Sequence, residues 1–138
     1  MKARIKDLIT KYRHIPGILL LLATIVIFAG TLFPSKPSLS INIWDYDKIG
    51  HFLMFGGWTF LYGIFRAFKL KQRPNLTYVF ILGSTYGLLI EFLQFVFPTN
   101  RSPEMMDFIA DMIGALAAIG VLHFIFKRIF VTDEDSLT

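Results

Sequence analysis

The chain contains no cysteine, and only 17% of its 138 residues are charged. The first absence removes disulfide frameworks, thiolate nucleophiles, CxxC redox pairs and cysteine-rich zinc sites together. Any chemistry must come from carboxylates, histidines, hydroxyls or a bound cofactor. The second falls well below the roughly 25% charged residues of a typical soluble chain. With 54% hydrophobic residues and a mean hydropathy of +0.57, the apolar surface exceeds what one small core could bury. The balance argues against a soluble enzyme.

Long hydrophobic runs take the place of that charge. Four apolar segments, about 15–33, 49–68, 77–97 and 106–126, each approach the roughly 20 residues that cross a bilayer as a helix. Four spans are too few for a closed barrel, and backbone groups in hydrocarbon must be satisfied within their own segment. The expected fold is therefore all-α, a polytopic membrane protein built as a four-transmembrane-helix bundle. No repeat or low-complexity tract appears, so residues 1–138 read as a single membrane domain.

The net charge of +4 is a matter of placement. Lys2, Arg4, Lys6, Lys11, Arg13, Arg66, Lys69, Lys71, Arg73, Lys127 and Arg128 fall on one side of the four spans, and Lys36, Lys48 and Arg101 on the other. The positive-inside rule then puts both termini and the 69–76 loop in the cytoplasm, with the 34–48 and 98–102 loops outside. That use of the basic residues leaves no patch for nucleic acid. The first run is too long for a signal-peptide core, and no A-x-A-like site follows it, so it reads as an uncleaved span. Ile5, Leu8, Ile9 and Tyr12 recur at helical spacing among Lys and Arg, as in a helix lying on the inner leaflet; a frayed basic tail is the alternative.

Smaller signals fit this plan. Pro34 and Pro37 break the first outer loop, Trp44 and Tyr46 suit the outer interface, and Tyr12 and Tyr78 suit the inner one. Ser102, Pro103 and Glu104 read as N-cap, N1 and acidic first turn of the fourth helix. Asp133–Asp135 reads as a solvated tail. Gly83 and Gly87 lie in one row with Glu91 on the third helix, and Ala110, Gly114 and Ala118 form a matching row on the fourth. These two faces are expected to meet, with Glu91 inward.

The rare polar residues inside the spans carry the functional signal. Glu91 lies about six residues below the outer end of its span, roughly 9 Å at 1.5 Å per residue. Gln94 stands one turn further out. Asp107 and Asp111 are i and i+4 on the fourth helix, and Asp47 and His51 are i and i+4 at the outer start of the second. Three helices thus deliver polar groups to one leaflet. An acidic side chain at a helix centre costs about 2.5–3.5 kcal/mol to insert, so a carboxylate at that depth points to a functional site. Plain structural roles compete: Asp47 as a cap, His51 as an interface residue, Asp107 as a solvated group at a helix N-terminus. Asp47, Glu91, Asp107 and Asp111 outnumber Lys48 and Arg101 by two charges. A retained proton, a cationic His51 or a bound cation would restore the balance.

The run DKIGHFLMF from Asp47, followed by EFLQFVFPTNRSPEMMDFIADMIG from Glu91, resembles the VanZ-like family of small bacterial membrane proteins over about residues 45–120. The family pattern Asp-Lys-x-x-His, Glu-x-x-Gln, Arg and Asp-x-x-x-Asn-x-x-Gly maps to Asp47, Lys48, His51, Glu91, Gln94, Arg101, Asp107 and Gly114. Asp111 stands where the pattern has Asn. The resemblance implies a role in the bacterial cell envelope, in the cytoplasmic (inner) membrane, and the family is named for low-level resistance to the glycopeptide teicoplanin.

Three functions are open at this stage. In the first, an intramembrane hydrolase or transferase acts on a lipid-linked envelope precursor at the outer leaflet. Lys48 and Arg101 hold an anionic headgroup, Glu91 and His51 exchange protons, and Asp107 orients His51 or Arg101. Gln94, Asp47 and Asp111 complete the substrate-binding set. The second is a non-catalytic module that binds or shields a lipid headgroup, and the third a small oligomeric transporter with Glu91 or Asp111 as its proton site. A divalent metal held by His51, Glu91 and Asp107 is an open variant of the first function, but no ligand pair has HExxH-type spacing, so no metal ligand is assigned and the cofactor stays open. The expected partners are membrane lipids or the lipid-linked precursor, and oligomerisation is open.

Overall fold

Apolar runs with their backbone satisfied internally should appear as long helices, and they do. The computed structural model describes residues 11–32, 43–97 and 103–130. Its helices are α1 (Ile15–Leu32), α2 (Ile43–Leu70), α3 (Leu76–Val96) and α4 (Met105–Phe130), and no strand occurs among the described residues. Pro16 falls in the first turn of α1, where no intrahelical N–H is required. Asn75 caps α3, its side chain accepting from the Tyr78 N–H at 3.2 Å.

Three of the four helices, α1, α3 and α4, are long and apolar enough to cross a membrane. Their outward faces present large apolar side chains, among them Leu21, Val26, Phe92, Phe95 and Leu116. That surface suits lipid and is unfavourable in water, and the chain is a membrane protein. α2 stays outside the apolar group for a reason visible in its composition: Asp47, Lys48 and His51 lie near its start and Arg66 and Lys69 near its end. It also packs against each of the other three helices, so less of its surface needs to be lipid-compatible.

α2 and α4 extend past the hydrophobic runs that announce them. α2 begins six residues before the expected 49 and α4 continues four residues beyond 126. α4 starts at Met105, with the Asp107 and Phe108 N–H groups donating to the Glu104 carbonyl. Glu104 therefore holds the position before the helix rather than its first turn, and the expected cap Ser102 lies outside the described residues. So do Ile5, Leu8 and Ile9 of the proposed surface helix, Pro34 and Pro37, Arg101 and the Asp133–Asp135 tail.

The expected meeting of two small-residue rows holds in part. Gly114 of α4 faces the backbone of α2, and a methyl on Gly56 would lie 2.9 Å from the Gly114 carbonyl oxygen. On α3, a methyl on Gly83 would fall on Thr59 of α2, while one on Gly87 would lie 2.6 Å from Asp111 Oδ2. Gly83 and Gly114 thus turn toward the central helix α2. Gly87 makes the expected α3–α4 approach, and α3 and α4 are packed neighbours with Glu91 turned inward, as expected.

Two apolar layers fill the interior. One joins Ala67, Val79, Leu122 and Phe126; the other joins Ile27, Phe55, Tyr86 and Ile90, with Met54, Trp58 and Leu93 against it. In the second layer Trp58 stacks on Tyr86 at 4.6 Å and Phe55 lies 5.5 Å from Tyr86. This aromatic layer forms the floor of the polar cluster.

Candidate functional site

The starts of α2 and α4 and the end of α3 share one end of the molecule. Helix N-termini favour negative charge, and Asp47 and Asp107 occupy the first turns or near them. One to two turns deeper, the three helices deliver His51, Glu91 and Asp111 to a common point. His51 is 1% exposed, Glu91 6%, Asp107 5% and Asp111 0%. So much buried polar chemistry is costly unless paired, which makes its internal geometry informative.

His51 is the hub. Its Nδ1–H donates to Asp111 Oδ1 at 2.9 Å, and the same nitrogen stands 4.0 Å from Glu91 Oε1. Nε2 lies 3.8 Å from Asp107 Oδ2. Phe55, one turn along α2, stacks under the imidazole at 5.7 Å between centroids and 15° between planes. A hydrogen bond on one nitrogen and a ring on one face fix the orientation of the imidazole. Three of the four acidic candidates therefore surround one histidine, as the depth of each residue along its helix implied. Asp47 also comes within reach, in a group with His51 and Asp107.

Glu91 is anchored from an unexpected quarter. The backbone N–H of Glu104 donates to Glu91 Oε2 at 3.1 Å, so the entry to α4 is tied to α3. The Glu104 side chain reaches Lys48 Nζ at 3.5 Å, and Lys48 lies 3.9 Å from Asp107 Oδ1. Lys48 is thus drawn into an acidic surround at the outer edge of the cluster. Gln94 is buried but turned toward α1, its amide donating to the Thr31 carbonyl at 3.1 Å. Arg101 lies outside the described residues.

Sequence reasoning missed Glu104 as a contributor, whereas the close approach of Gly87 to α4 was expected from its small-residue row. Glu104 stands within the motif run, two residues before the periodic part of α4, and looked like an ordinary first-turn acid. The donor it supplies is its backbone N–H, which no side-chain pattern reports.

The arrangement can exchange protons between a fixed imidazole and neighbouring carboxylates, or hold a cation among buried oxygens. His51, Glu91 and Asp111 offer ligand atoms that all lie within 4.8 Å of one another. No curated protein and no solved structure matches the chain. A family model described as VanZ/LLP1 matches residues 7–127, a stretch that contains every residue of the cluster. With that match over most of its length, the chain belongs to the VanZ/LLP1 family.

Proposed function

We propose that the protein is a four-span protein of the bacterial cytoplasmic membrane, with both termini in the cytoplasm, that acts on a lipid-linked envelope substrate at the outer leaflet. The reading rests on one observation above the others: His51, Glu91, Asp107 and Asp111 are buried together at one end of the helices. Sidedness is supported by charge. Lys69, Lys71, Arg73, Lys127 and Arg128 cluster at the opposite end, as the positive-inside rule requires of a cytoplasmic face.

In this reading α2 is the fourth span, its polar side chains turned toward its partners. Glu91 and His51 exchange protons with the substrate, and the reaction is a hydrolysis or group transfer. Asp111 holds the imidazole, a role the sequence alone had given to Asp107. Lys48 and Arg101 meet the anionic headgroup. Teicoplanin resistance is the phenotype to examine first, because the family takes its name from it.

Glu91→Gln and Arg101→Ala, compared at matched expression in an assay of envelope lipids and glycopeptide susceptibility, test the proposal. Glu91→Gln should abolish turnover while lipid binding persists, whereas Arg101→Ala should weaken binding. Wild-type behaviour of the Glu91 isostere would remove acid–base catalysis from this site and leave headgroup binding without chemistry.

A further inference from the structure

Among the described residues the buried carboxylates outnumber the cationic groups that reach them, and three of their oxygens, one each on Glu91, Asp107 and Asp111, are buried without a hydrogen-bond partner. Glu91 Oε1 and Asp111 Oδ2 are both fully covered and have no hydrogen-bond partner among the described residues. They belong to side chains 6% and 0% exposed. A buried oxygen of this kind is strongly unfavourable without a donor or a cation. Glu91 Oε1 faces the same imidazole nitrogen that Asp111 contacts, at 4.0 Å, while Nδ1 and Asp111 Oδ1 are 2.9 Å apart.

We propose that His51 Nδ1, Glu91 Oε1 and an Asp111 carboxylate oxygen form a binding site for one first-row divalent cation, such as Zn2+ or Mn2+. Ligand atoms about 2.1 Å from an ion stand about 3.4 Å apart in a tetrahedral site and at most about 4.2 Å apart across it. The 2.9 Å and 4.0 Å spacings lie on either side of the tetrahedral value, and the three groups lie within 4.8 Å of one another, so small side-chain adjustments close the site. An imidazole nitrogen among the ligands selects a first-row transition ion or zinc over Mg2+ and Ca2+, which prefer oxygen alone. Three protein ligands leave a coordination position open.

The surroundings fit this use. When the ion takes Nδ1, the ring proton resides on Nε2, which faces Asp107 Oδ2 at 3.8 Å; a carboxylate behind a ligating histidine is a common support for a metal site. Glu91 keeps Oε2 on the Glu104 N–H, which leaves Oε1 for the ion. Gly87 lets Asp111 approach α3 closely, since a methyl there would lie 2.6 Å from Oδ2. Asp47 and Asp107 form an acidic approach with His51. The site shares its residues with the proposed proton exchange, which needs Glu91 and His51 free of the ion; because ion binding is read without turnover, the two readings fail separately.

The test uses the full chain in lipid nanodiscs, stripped with a chelator and titrated with Mn2+ while electron paramagnetic resonance follows the free ion. The expected result is one Mn2+ per chain, displaced by Zn2+ and weakened at least about tenfold by Glu91→Gln or Asp111→Asn. Asp47→Asn should change affinity by less than about threefold. Spin-echo modulation should report one bound imidazole nitrogen, and the signal should survive His14→Gln together with His123→Gln. That last measurement needs no change in the site, so it holds even where a ligand variant fails to fold. Absence of stoichiometric binding by the wild type, loss of the nitrogen signal in the double variant, or sensitivity to Asp47→Asn but not to Asp111→Asn would overturn the assignment.

Discussion

Gly114→Ala should separate α2 from α4 and open the polar cluster without touching any of its side chains. The added methyl would fall on the Phe52 carbonyl oxygen, 3.0 Å from its carbonyl carbon and 3.1 Å from the Gly56 nitrogen. All three are backbone atoms, so no side-chain rotation relieves the contact. Restoring ordinary separation needs a local shift on the order of 1 Å. Because His51 directly precedes Phe52, that shift would stretch the 2.9 Å hydrogen bond to Asp111 beyond hydrogen-bonding range. Overpacking costs about 1–3 kcal/mol and a broken buried hydrogen bond about 1–3 kcal/mol. Alanine recovers about 1 kcal/mol of helix propensity, leaving a net loss of about 1–5 kcal/mol. Gly120→Ala on the same helix is the control, since a methyl there meets nothing within 4 Å. Thermal unfolding in nanodiscs, with the His51 imidazole nitrogen shifts as a local probe, makes the comparison. Equal stability of the two variants with unchanged His51 shifts would refute the close α2–α4 approach.

Two further outcomes follow from the same packing. Trp58 donates its indole N–H to Thr24 Oγ1 at 2.8 Å, linking α2 to α1; Thr24→Val should cost about 1 kcal/mol and shift the Trp58 indole N–H resonance, and an unmoved resonance would count against the tether. The cysteine-free sequence makes topology directly readable: Ser38→Cys should label from outside and Gln72→Cys from the cytoplasm, and the reverse pattern would overturn the proposed orientation.

Much of the candidate site was legible because a membrane helix leaves polar residues conspicuous. Glu91, Asp107, Asp111 and His51 stand out in apolar surroundings, and counting their depth at 1.5 Å per residue places them at one level. Their convergence on one imidazole follows once the helices pack. What depended on tertiary choice was not legible. Gly56 and Gly114 meet across α2 and α4, a pairing that the small-residue rows on the third and fourth helices did not indicate. Gln94 turns to α1 through its side-chain conformation, and Glu104 acts through its backbone. The start of α2 at Ile43 was hidden because hydropathy reports the stretch suited to hydrocarbon, while the helix itself continues outward past Asp47, which was expected at its start.

The central claim is that the buried residues around His51 act as one unit at the outer leaflet. A functional double-mutant cycle tests it most directly, with His51→Gln, Asp111→Asn and the combined variant compared at equal membrane abundance in the envelope-lipid assay. Groups that work together lose nearly everything when either is removed, so each single variant should fall at least about tenfold and the double variant no further. Independent, multiplying losses, or full activity in either single variant, would contradict the account.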